Sequence, residues 1–235
     1  MPPAVAPEIH RFVVGPLATN CYVLVANHRA LIVDPGDEAP RLQQWLLAQD
    51  LNPAGIINTH AHFDHLLAVA PLRDRFQIPF ALHAEELPVL HRQRDYLLQH
   101  FGYDPGDPPE PDLLLQDGHW ICIPPSGPLQ IHPGSPDPQA VFCLQVVHTP
   151  GHSPGSVCYR GPGFALVGDL IFQNSVGRAD LRGSDPARLR RSLRRILTEW
   201  PRDTVLYPGH GPFTTLQREC QHNPFLREWF PDLCP

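Results

Sequence analysis

Lysine is absent from this sequence of 235 residues, so all 18 of its basic residues are arginines, set against 24 acidic residues. The formal net charge is -6 at pH 7, which predicts no basic surface for nucleic acid. Long apolar runs are absent too, whereas a membrane-spanning helix needs about 18 or more apolar residues. The segment 1–8 lacks the basic and apolar regions of a secretory signal. We therefore expect a cytoplasmic protein that binds neither nucleic acid nor membranes.

Cysteine pairs of the Cys-x-x-Cys type are also lacking. The six cysteines are scattered along the chain, at Cys21, Cys122, Cys143, Cys158, Cys220 and Cys234. This spacing argues against a zinc ribbon and against a redox motif. In a cytoplasmic protein we expect reduced thiols, with disulfides as the less favoured alternative.

Proline, in contrast, is abundant, with 30 residues. Strand and helix patterns continue between the prolines, so this content predicts fixed turns and rigid loops rather than disorder. Two proline-rich loops are predicted, at 104–111 and 124–138. The length is sufficient for one hydrophobic core, and we expect a single domain over residues 1–235, as a monomer or small homo-oligomer.

Strand and helix patterns alternate along the chain, which is typical of an α/β protein. Strands are predicted at 9–14, 20–25, 30–33, 55–58, 79–82, 120–123, 141–147, 157–160, 164–169 and 204–207. Helices are predicted to begin at Pro40 and after Asp185, and to cover 66–76, 84–103 with a break near Pro88, and 215–222. The first three strands are expected to form an antiparallel meander.

The segment 59–65 concentrates metal-binding side chains. It carries His60, His62, Asp64 and His65 directly after a predicted apolar strand. Alternate residues of an extended strand end point the same way, so His60 and His62 are expected to share one ion. Asp64 and His65 lie where the chain turns towards a helix and would face a second ion. The alternative is chance clustering among 14 histidines, which rarely places four such residues within six positions.

Three further strand ends offer residues of the same type. His152, Asp169 and His210 each lie among glycines, which let backbone and metal approach closely. The sequence thus predicts seven ligands for two divalent ions, with zinc expected and iron or manganese as alternatives. One ion is assigned His60, His62 and His152, the other Asp64, His65 and His210, and Asp169 lies between them.

Charge counting favours hydrolysis at such a site. Two divalent ions, two carboxylates and one hydroxide leave a net charge of roughly +1, which suits an anionic tetrahedral intermediate. The ions would lower the pKa of a bridging water towards about 7 and polarise a substrate carbonyl, so no Ser or Cys nucleophile is needed. Asp64 is also the candidate catalytic residue, because its carboxylate could orient the hydroxide.

The order of these residues, from His60 to His65 and then His152, Asp169 and His210, resembles the metallo-β-lactamase fold superfamily. The segments 19–22, 148–152, 175–180 and 223–226 resemble its small bacterial glyoxalase II-like branch, and the resemblance covers nearly the whole chain. It implies a four-layer αββα sandwich of the α/β (α+β) class with a binuclear site at one sheet edge. It also implies hydrolysis of a small-molecule thioester of the S-lactoylglutathione type by a metal-bridging hydroxide.

Two residues near the predicted ligands receive other roles. His148 lies four residues before the ligand position, so we expect it to support the fold rather than bind metal. Arg178, in a Gly-Arg-x-Asp turn, is the candidate contact for a substrate carboxylate, and the alternative is that it only pairs with Asp180. Full-length glyoxalase II enzymes grip the glutathione carboxylates with Arg and Lys of a larger C-terminal helical region. This chain has no lysine for that purpose, so the sequence does not identify the thiol half of the substrate.

Other functions compete with thioester hydrolysis. Persulfide dioxygenases also resemble this chain, including the Gly-Arg-x-Asp turn, and use one iron with fewer ligands. Hydrolysis of another ester, a lactone or a β-lactam is a further alternative, and so is a protein that only binds metal. The nuclease members of the superfamily insert a large extra domain that 235 residues do not accommodate.

Overall fold

The computed structural model describes residues 6–234, which form two stacked β-sheets with helices on both outer faces. The first sheet has six strands, which follow one another across the sheet in chain order. They are β1 (Glu8–Val14), β2 (Thr19–Ala26), β3 (Arg29–Val33), β4 (Asn52–Ile57), β5 (Phe80–His83) and β6 (Leu113–Leu115). β1 to β3 pair antiparallel, as predicted, and β3 to β6 pair parallel. Because parallel strands end at the same sheet edge, the residues that follow β3 and β4 start side by side.

The second sheet is mostly antiparallel. Its strands are β7 (His119–Ile123), β8 (Gln130–Pro133), β9 (Phe142–His148), β10 (Val157–Gly161), β11 (Phe164–Gly168), β14 (Val205–Pro208) and β15 (Thr214–Thr215). A small separate ladder joins β12 (Ile171–Phe172) to β13 (Ser175–Val176). The order across the sheet is β15-β14-β11-β10-β9-β7-β8, and only β11 and β14 run parallel. Consequently β11 and β14 deliver the residues after their ends to one edge.

Within the described part of the chain, seven α-helices connect or follow the strands. They are α1 (Ala39–Ala48), α2 (Val69–Phe76), α3 (Leu87–Leu90), α4 (Gln93–Phe101), α5 (Pro186–Glu199), α6 (Leu216–His222) and α7 (Pro224–Trp229). Two 3₁₀ turns, Phe63–His65 and Ala84–Glu86, lie beside the strand ends. Within residues 6–234, no helix has both the length and the apolar character needed to cross a membrane.

The helix after Asp185 illustrates how the sequence determines an element. The Asp185 carboxylate accepts hydrogen bonds from the N–H groups of Ala187 and Arg188, at 2.8 and 3.0 Å, and so satisfies donors that the first turn leaves free. Leu189, Leu193, Ile196 and Leu197 form its buried stripe. This stripe follows the 3.6-residue period of the sequence.

Three apolar clusters fill the spaces between these layers. One lies between the two sheets and contains Tyr22, Tyr159 and Phe142. A second joins the first sheet to α1 and α2, and a third joins the second sheet to α5, α6 and α7. The clusters therefore define the layer order helix, sheet, sheet, helix, which confirms the predicted αββα sandwich.

Several predicted elements differ from the structure at their ends. The helix expected over 66–76 begins only at Val69, because the Ala68 N–H donates to Pro35 O at 3.0 Å and holds a turn in place of the helical ladder. The proline-rich stretch 124–138 contains strand β8, which pairs only with β7 at the sheet edge. Strand β6 and helix α7 also had no predicted counterpart. Such short elements carry too few residues for a recognisable periodicity.

The expectation of reduced thiols is wrong for four cysteines. Disulfides join Cys122 to Cys143 and Cys220 to Cys234, whereas Cys21 and Cys158 are free and buried. Cys122 and Cys143 are direct partners in the β7–β9 register although 21 positions separate them in sequence. Strand register brings them together, and linear spacing gives no sign of it.

Candidate metal centre

The predicted ligands meet at the edge where β4, β11 and β14 end. His60 follows β4 by three residues, Asp169 directly follows β11, and His210 follows β14 by two. Hydrogen bonds join the segments that meet at this edge. The Gly209 N–H donates to Gly168 O at 2.8 Å, and the Tyr159 hydroxyl donates to Asn58 O at 2.5 Å. The fold thus brings together residues that are up to 150 positions apart.

His60, His62 and His152 form the first group. Their ring centroids lie 4.6 to 4.9 Å apart, and His62 Nδ1 is 2.9 Å from His152 Nε2. His60 and His152 are buried. One nitrogen of each imidazole lies within 4.8 Å of the other two, so the three rings converge on one point.

Asp64, His65 and His210 form the second group, whose candidate ligand atoms also lie within 4.8 Å of one another. Asp64 Oδ2 is 3.2 Å from His210 Nε2 and 3.5 Å from His65 Nε2. Asp169 lies between the two groups, because Oδ2 is 3.4 Å from His152 Nε2 and 3.6 Å from His210 Nε2, while Oδ1 is 3.6 Å from His65 Nε2. The structure therefore brings all seven predicted side chains together.

These separations fit a shared cation. Ligand atoms about 2.1 Å from an ion in a tetrahedron lie about 3.4 Å from one another. The carboxylate–imidazole distances of 3.2 to 3.6 Å match that spacing better than the length of a strong hydrogen bond. His60 Nε2, His65 Nε2 and Asp169 Oδ1 are buried without a hydrogen-bond partner in the described residues, as expected for atoms that coordinate an ion.

Backbone and side-chain acceptors orient the imidazoles. His152 Nδ1–H donates to Arg178 O at 2.9 Å, and His210 Nδ1–H donates to Leu17 O at 3.1 Å. His60 Nδ1–H donates to Thr59 Oγ1 at 3.1 Å. In each ring the opposite nitrogen, Nε2, is left with its lone pair towards the centre, which is how protein metal sites fix the tautomer of a ligand.

Two buried carboxylates that sequence analysis did not assign support the ligands. Asp34 accepts from the Thr59 N–H and hydroxyl, both at 2.7 Å, and its Oδ2 lies 3.2 Å from His65 Nδ1. Glu86 accepts from the N–H groups of Ala61 at 2.8 Å and Gly155 at 2.6 Å. Asp34 directly follows β3, and this position at a strand end could have indicated it from the sequence. Glu86 follows no such pattern.

Glycine at 209 keeps room for the cluster. A Cβ atom there would overlap Asp169 Oδ1 and crowd the ring of His65. The absence of a side chain therefore lets the β14 end approach the predicted ligands closely.

The electrostatics differ between the two sides of the cluster. Burial, with a smaller contribution from His152, lowers the pKa of His62 to about 3, and burial lowers the pKa of His60 well below its usual range. Burial would also lower the pKa of His65, but Asp64, Asp34 and Asp169 outweigh it and raise that pKa to about 10. One side thus offers neutral imidazoles, and the other carries negative charge that attracts a cation.

Arg178 and His148 lie outside this cluster. The Arg178 guanidinium is exposed and pairs with both Asp180 oxygens at 2.9 Å, while its backbone carbonyl orients His152. His148 Nε2–H donates to Pro154 O at 3.0 Å. Its ring stacks on His83 at 4.2 Å and 19°. Although His83, Glu85 and His148 are close enough to hold an ion, nearly parallel rings cannot both aim an in-plane lone pair at it.

The chain belongs to the metallo-beta-lactamase superfamily. Residues 14–210 match the family model of that description, and the αββα layers and the His/Asp cluster agree with this membership. At the level of the superfamily the protein is a metallo-hydrolase, and the fold implies divalent metal binding by the His and Asp groups described above.

Three known proteins are similar to the chain over nearly its whole length. The "Hydroxyacylglutathione hydrolase GloC" of Haemophilus influenzae is 31% identical, over 88% of this chain and 92% of its own length. The solved structure "Crystal structure of BLEG-1 B3 metallo-beta-lactamase" is 38% identical with a TM-score of 0.79, over 93% of this chain and 99% of its own. "Crystal structure of TTHA1623 in a di-iron-bound form" is 37% identical with a TM-score of 0.78, over 92% and 100%. The similarity spans nearly the full length of each protein.

Proposed function

We propose that this protein hydrolyses thioesters of the S-lactoylglutathione type, with two divalent ions, zinc expected, held by the seven clustered residues. One observation carries the proposal: Asp169 lies between two convergent groups at distances that match shared coordination. The di-iron form of one relative supports two ions, and the hydroxyacylglutathione hydrolase among the relatives supports the thioester.

The residues of the chain would divide the work. Bound divalent ions supply Lewis acidity and lower the pKa of a coordinated water. Asp64 accepts a hydrogen bond from Thr19 Oγ1 at 2.9 Å, which fixes its carboxylate so that the other contacts face the centre. Burial alone would raise the pKa of Asp64, but His65, His210 and Thr19 lower that pKa overall. The carboxylate therefore stays ionised and can accept a hydrogen bond. The substrate carbonyl would enter from the side where His62 and His210 are partly exposed.

Asp64→Asn is expected to lower kcat about 10²-fold, because the amide cannot accept and orient as the carboxylate does. The measurement is kcat on S-lactoylglutathione together with metal content by mass spectrometry. Asp50→Asn, an exposed position with positive φ that Asn tolerates, is the matched control. Full activity with both metals bound would reject a catalytic role for Asp64.

Arg178→Ala is expected to raise KM for an anionic thioester about tenfold with little change in kcat, because one charge-assisted contact is lost. The backbone carbonyl that orients His152 remains in the variant. Arg182→Ala, which removes an exposed arginine from the same segment, serves as the control. An unchanged KM would leave Arg178 with its Asp180 pairing alone.

Metal stoichiometry and turnover distinguish the competing functions. We expect two ions per chain and hydrolysis of S-lactoylglutathione, which is measured as the release of free thiol. One iron per chain with oxygen uptake on glutathione persulfide would instead support a dioxygenase. Turnover of a lactone or β-lactam without thioester hydrolysis would support another hydrolase of this superfamily.

A further inference from the structure

Three aromatic rings lie beside the metal centre and form an aromatic shelf, defined here as Phe63, Tyr96 and Phe101. Their centroids are separated by 6.0 Å, 5.8 Å and 6.1 Å. Tyr96 is 42% exposed and Phe101 61% exposed. Exposed aromatic rings that contact one another form a binding surface more often than single exposed rings do.

The shelf is tied to the predicted ligands. Phe63 lies between His62 and Asp64 in the chain, and its side chain is partly exposed. The Phe63 N–H donates to Gln93 Oε1 at 3.0 Å, and Gln93 begins the helix that carries Tyr96 and Phe101. The position of α4 is therefore set relative to the loop that carries His62 and Asp64.

An apolar cavity continues behind Phe63. Its volume is about 50 Å³, and Leu66, Leu67, Ala70 and Leu97 line its walls. The proline-rich residues 105–109 form the roof. The cavity offers apolar lining to a group larger than one water molecule.

The roof is fastened by one arginine. Arg94 donates to Asp104 at 2.9 and 2.8 Å and to Asp107 at 2.6 Å. Arg94 also lines the cavity, so the loop is held against the helix that carries the shelf. The proline-rich loop thereby has a defined position against α4 and the cavity.

Positive charge lies beside the same group of predicted ligands. The backbone carbonyl of Arg178 accepts a hydrogen bond from His152 Nδ1–H at 2.9 Å, and its guanidinium is exposed. An exposed guanidinium beside His152 and exposed aromatic rings beside His62 complement a ligand that is apolar at one end and carries a carboxylate at the other.

We propose that the aromatic shelf and its cavity bind a bulky apolar acyl group, and that Arg178 binds a carboxylate on the thiol half. The substrate class is then an anionic thioester with an alkyl or aromatic acyl chain. This inference rests on the proposed function for the reaction itself. In that reaction water forms the new C–O bond to the acyl carbon, the C–S bond breaks, and one proton of the water passes to the thiolate.

Binding can be tested without turnover. S-hexylglutathione and S-methylglutathione are thioethers with no scissile carbonyl, and calorimetry on the metal-loaded protein measures their affinities. The wild-type protein is expected to bind the hexyl compound about tenfold more tightly, because several extra methylenes leave water. Tyr96→Ala/Phe101→Ala should abolish this difference, and Leu47→Ala, at an exposed apolar position of α1, should retain it.

Turnover separates this inference from the proposed function. The wild-type kcat/KM for S-hexanoylglutathione is expected to exceed that for S-lactoylglutathione about tenfold. Equal affinity for the two thioethers, or no binding of either, would reject the acyl-binding role of the aromatic shelf without affecting the proposed hydrolysis. Hexyl preference without any hydrolysis would overturn the proposed function instead. Phe101→Ala alone, at the most exposed ring, repeats the test if the double variant does not fold.

Discussion

Asp169→Asn is expected to remove at least one of the two metal equivalents proposed above and to lower kcat/KM about 10³-fold, because metal ions contribute several kcal/mol to such reactions. The carboxylate contacts both groups, through Oδ1 to His65 and through Oδ2 to His152 and His210. An amide retains one oxygen but replaces the other with a nitrogen that cannot coordinate. The centre would then lose its shared ligand.

Metal content by mass spectrometry measures this effect independently of activity. Asp74→Asn changes an exposed carboxylate on α2 and is expected to keep both ions and full activity. Circular dichroism would show whether the Asp169 variant remains folded. Two retained ions in a folded variant would contradict the bridging position.

The place where the candidate ligands meet could be predicted because these residues follow strand ends. His60, Asp169 and His210 each come shortly after an apolar strand, and parallel strands align such positions at one edge. The prediction needed residue types and strand ends, but no knowledge of loop conformation. The alternation of strands and helices predicted an α/β protein, whereas the αββα layer order came from the resemblance to the superfamily.

The supporting contacts could not be predicted in this way. Glu86 bonds to backbone N–H groups of two distant loops, at Ala61 and Gly155, and a backbone donor has no sequence signature. The aromatic shelf depends on the angle at which α4 lies against Phe63, and the disulfides depend on strand register. All three follow from tertiary packing, which local patterns do not encode.

Asp34 lies between the residues that could be predicted and those that could not. It follows β3 as the predicted ligands follow their strands, yet its oxygens contact Thr59 and His65 rather than the centre of the cluster. A strand-end carboxylate thus indicates the correct edge without revealing whether it faces the ion or supports a ligand. Only the positions of the neighbouring residues decide this.

Glu86→Ala is expected to lower the free energy of unfolding by about 2–6 kcal/mol, because two buried N–H groups lose their acceptor at about 1–3 kcal/mol each. Glu86 is fully buried and joins the loop of His60 and His62 to the loop of His152. Loosening both loops should also weaken metal retention about 10- to 100-fold, as loss of a supporting partner does elsewhere.

Chemical denaturation and competition with a chelator measure the two effects. Glu85→Ala is the matched control, because that neighbouring side chain is 50% exposed and forms an exposed ion pair with Arg188. It should change stability by at most about 1 kcal/mol. Glu86→Gln should fall between the two, since its single oxygen can serve one of the two N–H donors while its NH₂ faces the other. Equal stability of Glu86→Ala and Glu85→Ala would show that the loops are held by other contacts, because the loss of both acceptors would then carry no cost.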